Sequence, residues 1–103
     1  MIQEKIAVVT GASRGIGKAI ALKLASMDMT VIVNYAGSKE KAENVVKEIE
    51  EKGGRAEAVQ CDVADFAQCQ RMIEDVHKRY GSIDVFVNNA GITRDGLVMV
   101  MKE

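Results

Sequence analysis

The chain has 103 residues, which is room for one hydrophobic core and, by size, one domain. Apolar residues make up 48% and charged residues 28%, a mixture that excludes a disordered tail and a membrane-embedded bundle. Fourteen Lys and Arg against fifteen Asp and Glu give a formal charge of -1, so no global positive field draws the chain to nucleic acid or anionic lipid.

Met1-Ile2-Gln3-Glu4-Lys5 lacks the basic-then-apolar order of a secretory signal, and no apolar run approaches the ~20 residues that span a bilayer. Neither export nor embedding in a membrane is expected. From Lys5 to Thr10 a short β-rich block, Ile-Ala-Val-Val, ends abruptly at a glycine and predicts a first strand buried on both faces. From Gly15, Ile16, Ile20 and Leu24 recur at helical spacing with Ala19 and Met27 beside them, leaving Lys18 and Lys23 for solvent. Thr30 to Asn34 predicts a second strand. Ser38 then caps a helix with Ala42, Val45, Val46 and Ile49 on its apolar side, which Gly53-Gly54 stops. The mixed charges of Lys39 to Lys52 predict a solvated face.

A third unit follows, with Ala56 to Cys61 as the strand and Asp65 as N-cap with Gln68 three residues on. Phe66, Met72, Ile73, Val76 and Tyr80 form its helical stripe, which Gly81 ends. Ile83 to Asn88 predicts a fourth strand, after which Ala90-Gly91 turns the chain toward a last apolar piece, Leu97 to Met101. The order β-α-β-α-β-α-β implies right-handed crossovers and a doubly wound parallel α/β sheet with helices on both faces. Without proline, linker or low-complexity stretch, nothing marks a second domain. Cys61 and Cys69 fit neither a metal-ligand spacing nor a disulfide framework, which favours a reducing cytoplasm, and no metal site is expected. His77, beside Lys78 and Arg79, reads as a surface residue.

Thr10-Gly11-Ala12-Ser13-Arg14-Gly15-Ile16-Gly17 lies at the junction of the first strand and first helix. A glycine-rich turn there brings backbone N–H groups and the positive end of the helix dipole up to a phosphate, and the missing side chains admit a pyrophosphate. Such a turn also serves to pack helix on sheet, so its placement in the first unit carries the binding assignment.

That loop, taken together with Asn88-Asn89-Ala90-Gly91, resembles the short-chain dehydrogenase/reductases, whose N-terminal signatures are TGxxxGxG and NNAG. Within that family, Asn88 to Asp95 and Val31 to Gly37 look most like the bacterial β-ketoacyl-acyl-carrier-protein reductases, and the resemblance runs from Met1 to Glu103. It implies a Rossmann-type sheet in the order 3-2-1-4, lacking the C-terminal half of the fold. It also implies a nicotinamide dinucleotide, with Gly11, Ser13, Arg14, Gly15, Ile16 and Gly17 at the pyrophosphate. Asp62 and Val63 would border the adenine, and Asn88, Ala90 and Gly91 would line the ribose and nicotinamide side. Asn88 and Asn89 also suit bonding of backbone between strands, a role compatible with the first.

Cofactor choice follows from charge. NAD-specific sites place an acid at the end of the second strand, which would repel a 2′-phosphate; Asn34 and Tyr35 stand there instead. Arg14 adds a guanidinium suited to phosphate, although a solvated surface cation would look the same, and NADP(H) is expected. The family's catalytic Tyr and Lys, four residues apart, and its upstream Ser have no counterparts. Tyr35 and Lys39 share the spacing but stand where the adenosine belongs, and Tyr80 has Asp84 four residues on. The expectation is therefore a cofactor-binding half-domain, 1–103, with no catalytic residue of its own. Its parent would be an NADPH-dependent reductase of 3-oxoacyl groups on acyl-carrier protein. A stand-alone or engineered binding or assembly module, and a reductase of another carbonyl substrate, remain as alternatives.

An absent C-terminal half would leave the fourth strand at an open edge and Val98 to Met101, helical in the family, without cover. A homo-oligomer joined there is expected.

Overall fold

In the computed structural model, which describes residues 5–89 and 98–100, the apolar run after Lys5 forms β1 (Lys5–Val9), with every residue after Lys5 buried. Its pleat sends Ile6 and Val8 into one core and Val9 into the other, which is why the run does not alternate with polar residues. The remaining elements follow in order: α1 (Gly15–Ser26), β2 (Met29–Tyr35), α2 (Lys39–Glu51), β3 (Arg55–Gln60), α3 (Phe66–Tyr80), β4 (Val85–Val87) and β5 (Val98–Val100).

The sheet has the order β3-β2-β1-β4-β5. Its first four strands are parallel, with Val8 paired to Ile32 on one side and to Phe86 on the other, as the alternation of strands and helices predicts. On one face α1 and α2 cover Val9, Val31, Val33, Tyr35 and Val87 with Ala21, Ala25, Ala42, Val45 and Ile49. On the other, Met72 and Val76 of α3 close over Ile6, Val8, Ile32, Cys61, Ile83 and Phe86.

Three helix boundaries lie where the sequence places them. The Ser38 hydroxyl accepts the Lys41 N–H at the start of α2. The Asp65 carboxylate accepts the N–H groups of Ala67 and Gln68 at the start of α3, and Gly81 ends that helix with its N–H on the His77 carbonyl. No helix among the described residues is long and apolar enough to cross a membrane.

Three expectations are corrected. The inward face of α1 is Gly17, Ala21 and Ala25, with Ile20 and Leu24 at its flanks, while Ile16 is 65% and Met27 54% exposed. Small residues let the helix lie close to the sheet, and the larger apolar ones are pushed to its margins. Phe66, placed by sequence on the α3 stripe, is 80% exposed. Like Ile16 it occupies the first turn of a helix, at the carboxyl ends of the strands, where no sheet continues beneath it.

The third correction concerns the C-terminal piece. Val98–Val100 is a strand, not part of a helix, and pairs antiparallel with β4: Val85 with Val100, Phe86 with Met99, Val87 with Val98. β4 is therefore not an open edge. Leu97 and Met101, the ends of that predicted piece, lie outside the described residues.

Candidate functional site

The carboxyl ends of β1, β2, β3 and β4 converge on the loop between β1 and α1. Gly11 and Gly15 adopt φ of 61° and 62°, a left-handed backbone that glycine takes without the penalty a Cβ would bring. Two asparagines hold the loop. Asn34, on β2, accepts the Gly11 N–H on its Oδ1 at 3.2 Å, and its own backbone carbonyl accepts the Ala12 N–H at 2.9 Å. From the other side Asn89, just past β4, donates from Nδ2 to the Gly11 carbonyl at 3.0 Å. Thr10 at the end of β1 is fully buried, with its N–H on the Val87 carbonyl at 3.0 Å.

Gly17 completes the arrangement. A Cβ there would overlap the Gly11 carbonyl oxygen and stand 2.6 Å from Asn89 Nδ2. At Gly15 a Cβ would meet nothing within 4 Å, because that side of the loop opens on a cleft. Ser38 caps α2 and Asp65 caps α3, but Arg14 at the N-cap of α1 makes no side-chain capping bond. The first N–H groups of α1, with the positive end of its dipole, are thus left for a ligand at the mouth of the cleft.

The cleft has a volume of about 600 Å³ and is walled by the glycine loop on one side and by Ala36, Gly37, Ser38 and Lys41 on the other. Arg14 and Lys41 bring two cations, and among the described residues no carboxylate lines it. A second cleft of about 360 Å³, sharing Gly11 and Ala36 with the first, is lined by Asp62, Val63, Ala64 and Asn88. Here one Asp62 carboxylate oxygen accepts the Ala64 N–H at 3.0 Å, which turns the chain after β3. Burial pushes the Cys61 thiol, on the wall of this cleft, above its ordinary pKa, with Cys69 and the carboxylates of Asp62 and Asp65 adding to the effect. A reactive thiolate is therefore disfavoured.

The predicted site residues divide accordingly. Gly11, Ser13, Arg14 and Gly15 line the first cleft, and Asp62, Val63 and Asn88 the second. Asn34 contributes to the wall of the second but is only 1% exposed, and its Nδ2 is committed to the carbonyls of Cys61 at 3.1 Å and Val59 at 3.3 Å. Tyr35 is buried in the core beneath α1 and α2 and lines neither cleft, nor do Ile16 and Gly17. Ala90 and Gly91 lie outside the described residues. Tyr80 donates its hydroxyl to Glu57 at 2.8 Å beside Arg79, away from both clefts. Sequence reasoning passed over Ala36, Gly37, Lys41 and Ala64, and treated Ser38 as a cap only. The available signal was positional, since whatever follows the carboxyl end of β2 in a doubly wound sheet borders the ligand crevice.

Comparison with known proteins gives a consistent result. The family model for short chain dehydrogenase matches residues 5–103. Over all 103 residues the chain is 59% identical to the 3-oxoacyl-(acyl-carrier-protein) reductase FabG of Staphylococcus aureus, and it spans 42% of that protein's length. Over 98 residues it is 53% identical to the 3-oxoacyl-(acyl-carrier-protein) reductase of a Synechocystis species, covering 40% of it. Among solved structures, a metagenomic short-chain oxidoreductase in complex with NADP superposes with a TM-score of 0.82 at 42% identity. That match covers 88% of this chain and 41% of the other.

Proposed function

Because this chain belongs to the short chain dehydrogenase family, we propose that it binds NADP(H) and forms the cofactor-binding part of a reductase of 3-oxoacyl groups carried on acyl-carrier protein. The observation that carries the binding assignment is the cleft at the uncapped end of α1, open at Gly15 and flanked by two cations with no carboxylate among the described residues that line it. The backbone N–H groups of Gly11 to Gly15 would hold the cofactor's pyrophosphate. Asp62, Val63 and Ala64 would border its adenine, and Gly11 and Ala36, common to both clefts, would border the ribose between. The nicotinamide would supply hydride for reduction of a carbonyl.

The substrate rests on the names of the relatives, of which this chain spans about two fifths. The parent protein works in the cytoplasm, self-associates and meets acyl-carrier protein as its partner. Residues 1–103 alone bind cofactor without turnover, because Tyr35 is buried and Tyr80 is bonded to Glu57, away from both clefts.

Calorimetric titration with NADPH and NADH tests the binding assignment. NADPH binds more tightly, and Arg14→Ala narrows the difference by about 1 kcal/mol, the worth of a charge-assisted contact at an exposed site. Equal affinities, or a preference for NADH, overturn the proposal.

A further inference from the structure

Resting on the assignment just made, we propose that Lys41 is a specificity-determining residue for the dinucleotide. It closes on a phosphate at the ribose 2′ position from the α2 side while Arg14 closes from the loop side. The end of β2, where an acid would be sought, cannot make this choice by contact. The Asn34 oxygen is taken by the Gly11 N–H, its two amide hydrogens face the carbonyls of Val59 and Cys61, and Tyr35 is turned into the core. What meets a ligand beyond β2 is Ala36, Gly37 and Ser38, and one turn further on Lys41.

The local geometry aims Lys41 at that place. The Ser38 hydroxyl oxygen accepts the Lys41 N–H at 3.2 Å, fixing the first turn of α2 against the cleft, and keeps its own proton to donate. Lys41 lies on the cleft wall opposite Arg14, on a different element. Neighbouring lysines are engaged elsewhere: Lys39 pairs with Glu43 at 4.0 Å and Lys18 with Glu48 at 3.4 Å. Among the described residues neither Arg14 nor Lys41 makes a salt bridge, so a ligand gains both charges without breaking one. A phosphate monoester carries close to two negative charges near neutral pH, whereas a hydroxyl at the same place offers none, so the pair discriminates by charge.

The probes are NADPH and NADH, with adenosine 2′,5′-bisphosphate and 5′-AMP reporting the phosphate apart from the nicotinamide end. In Lys41→Ala, affinity for NADPH and for the bisphosphate falls roughly tenfold, while NADH and AMP change by less than about twofold. Lys41→Glu lowers the first pair further, Lys41→Arg restores it, and the wild-type preference shrinks as salt is raised. Lys41 is exposed, so thermal unfolding of these variants matches the wild type. If wild type prefers NADPH and Lys41→Ala keeps that preference unchanged, Lys41 has no part in the choice and the NADP(H) assignment stands without it. If wild type shows no preference, the assignment itself falls, and this inference with it.

Discussion

Asn34 joins three parts of the molecule through one amide. Its oxygen holds the glycine loop, and its nitrogen holds the carbonyls of Val59 and Cys61 where β3 runs out. Asn34→Ala would leave three backbone groups without these partners in a site that admits little water, at a cost of about 2–4 kcal/mol. Asn34→Asp keeps the bond to Gly11 but turns a carboxylate toward two carbonyl oxygens, so it destabilises the fold without creating a preference for NADH. Urea denaturation of both variants, with cofactor titration of any that fold, measures this; a stable Asn34→Asp protein that prefers NADH would show that the side chain reaches the ribose after all. The sequence marks this position through its missing acid, and the position does matter. Its mechanism was hidden, because the pleat of β2 decides whether residue 34 points at ligand or at backbone, and the register that fixes the pleat comes from neighbouring strands.

The elements were legible wherever a local signal decides them. Ser38, Asp65 and Gly81 bound their helices because a cap needs only its own residue and the next few. The inward face of α1 was not legible, because periodicity selects the large apolar residues, whereas the sheet and the Gly11 carbonyl demand small ones. Gly15 and Gly17 separate the two requirements. Gly17→Ala drives a methyl into the Gly11 backbone and Asn89 and costs about 1–3 kcal/mol, as overpacking does. Gly15→Ala meets no neighbour; it pays only the left-handed backbone penalty of about 1 kcal/mol and loses mainly cofactor affinity, as its methyl stands in the cleft. Melting temperature and cofactor titration, measured on both variants, should rank them in opposite orders; the same order in both assays would mean that the loop has no separate packing and binding sides.

For the whole molecule, alternation of strands and helices was enough to give four parallel strands joined by right-handed crossovers, while their order came from the resemblance to the short-chain dehydrogenase/reductases. It could not give β5. Val98, Met99 and Val100 are equally at home in a helix or a strand when only their apolar character is read, and pairing with β4 is a contact that the local pattern does not encode. This changes the argument for association. The outer side of β4 would recruit another strand if bare, but β5 already occupies it, and the short strand β5 becomes the edge on that side of the sheet. Stripping β5 away should therefore increase self-association. Proline placed in turn at Val98, Met99 and Val100 removes a ladder N–H at whichever position donates to β4 and fixes a backbone angle at all three. In a protein of these 103 residues, light scattering at tens of micromolar should show more oligomer for at least one of the three than for wild type. If none of the three proline variants differs from wild type, β5 does not guard the edge, and association of this chain, where it occurs, is built on another surface.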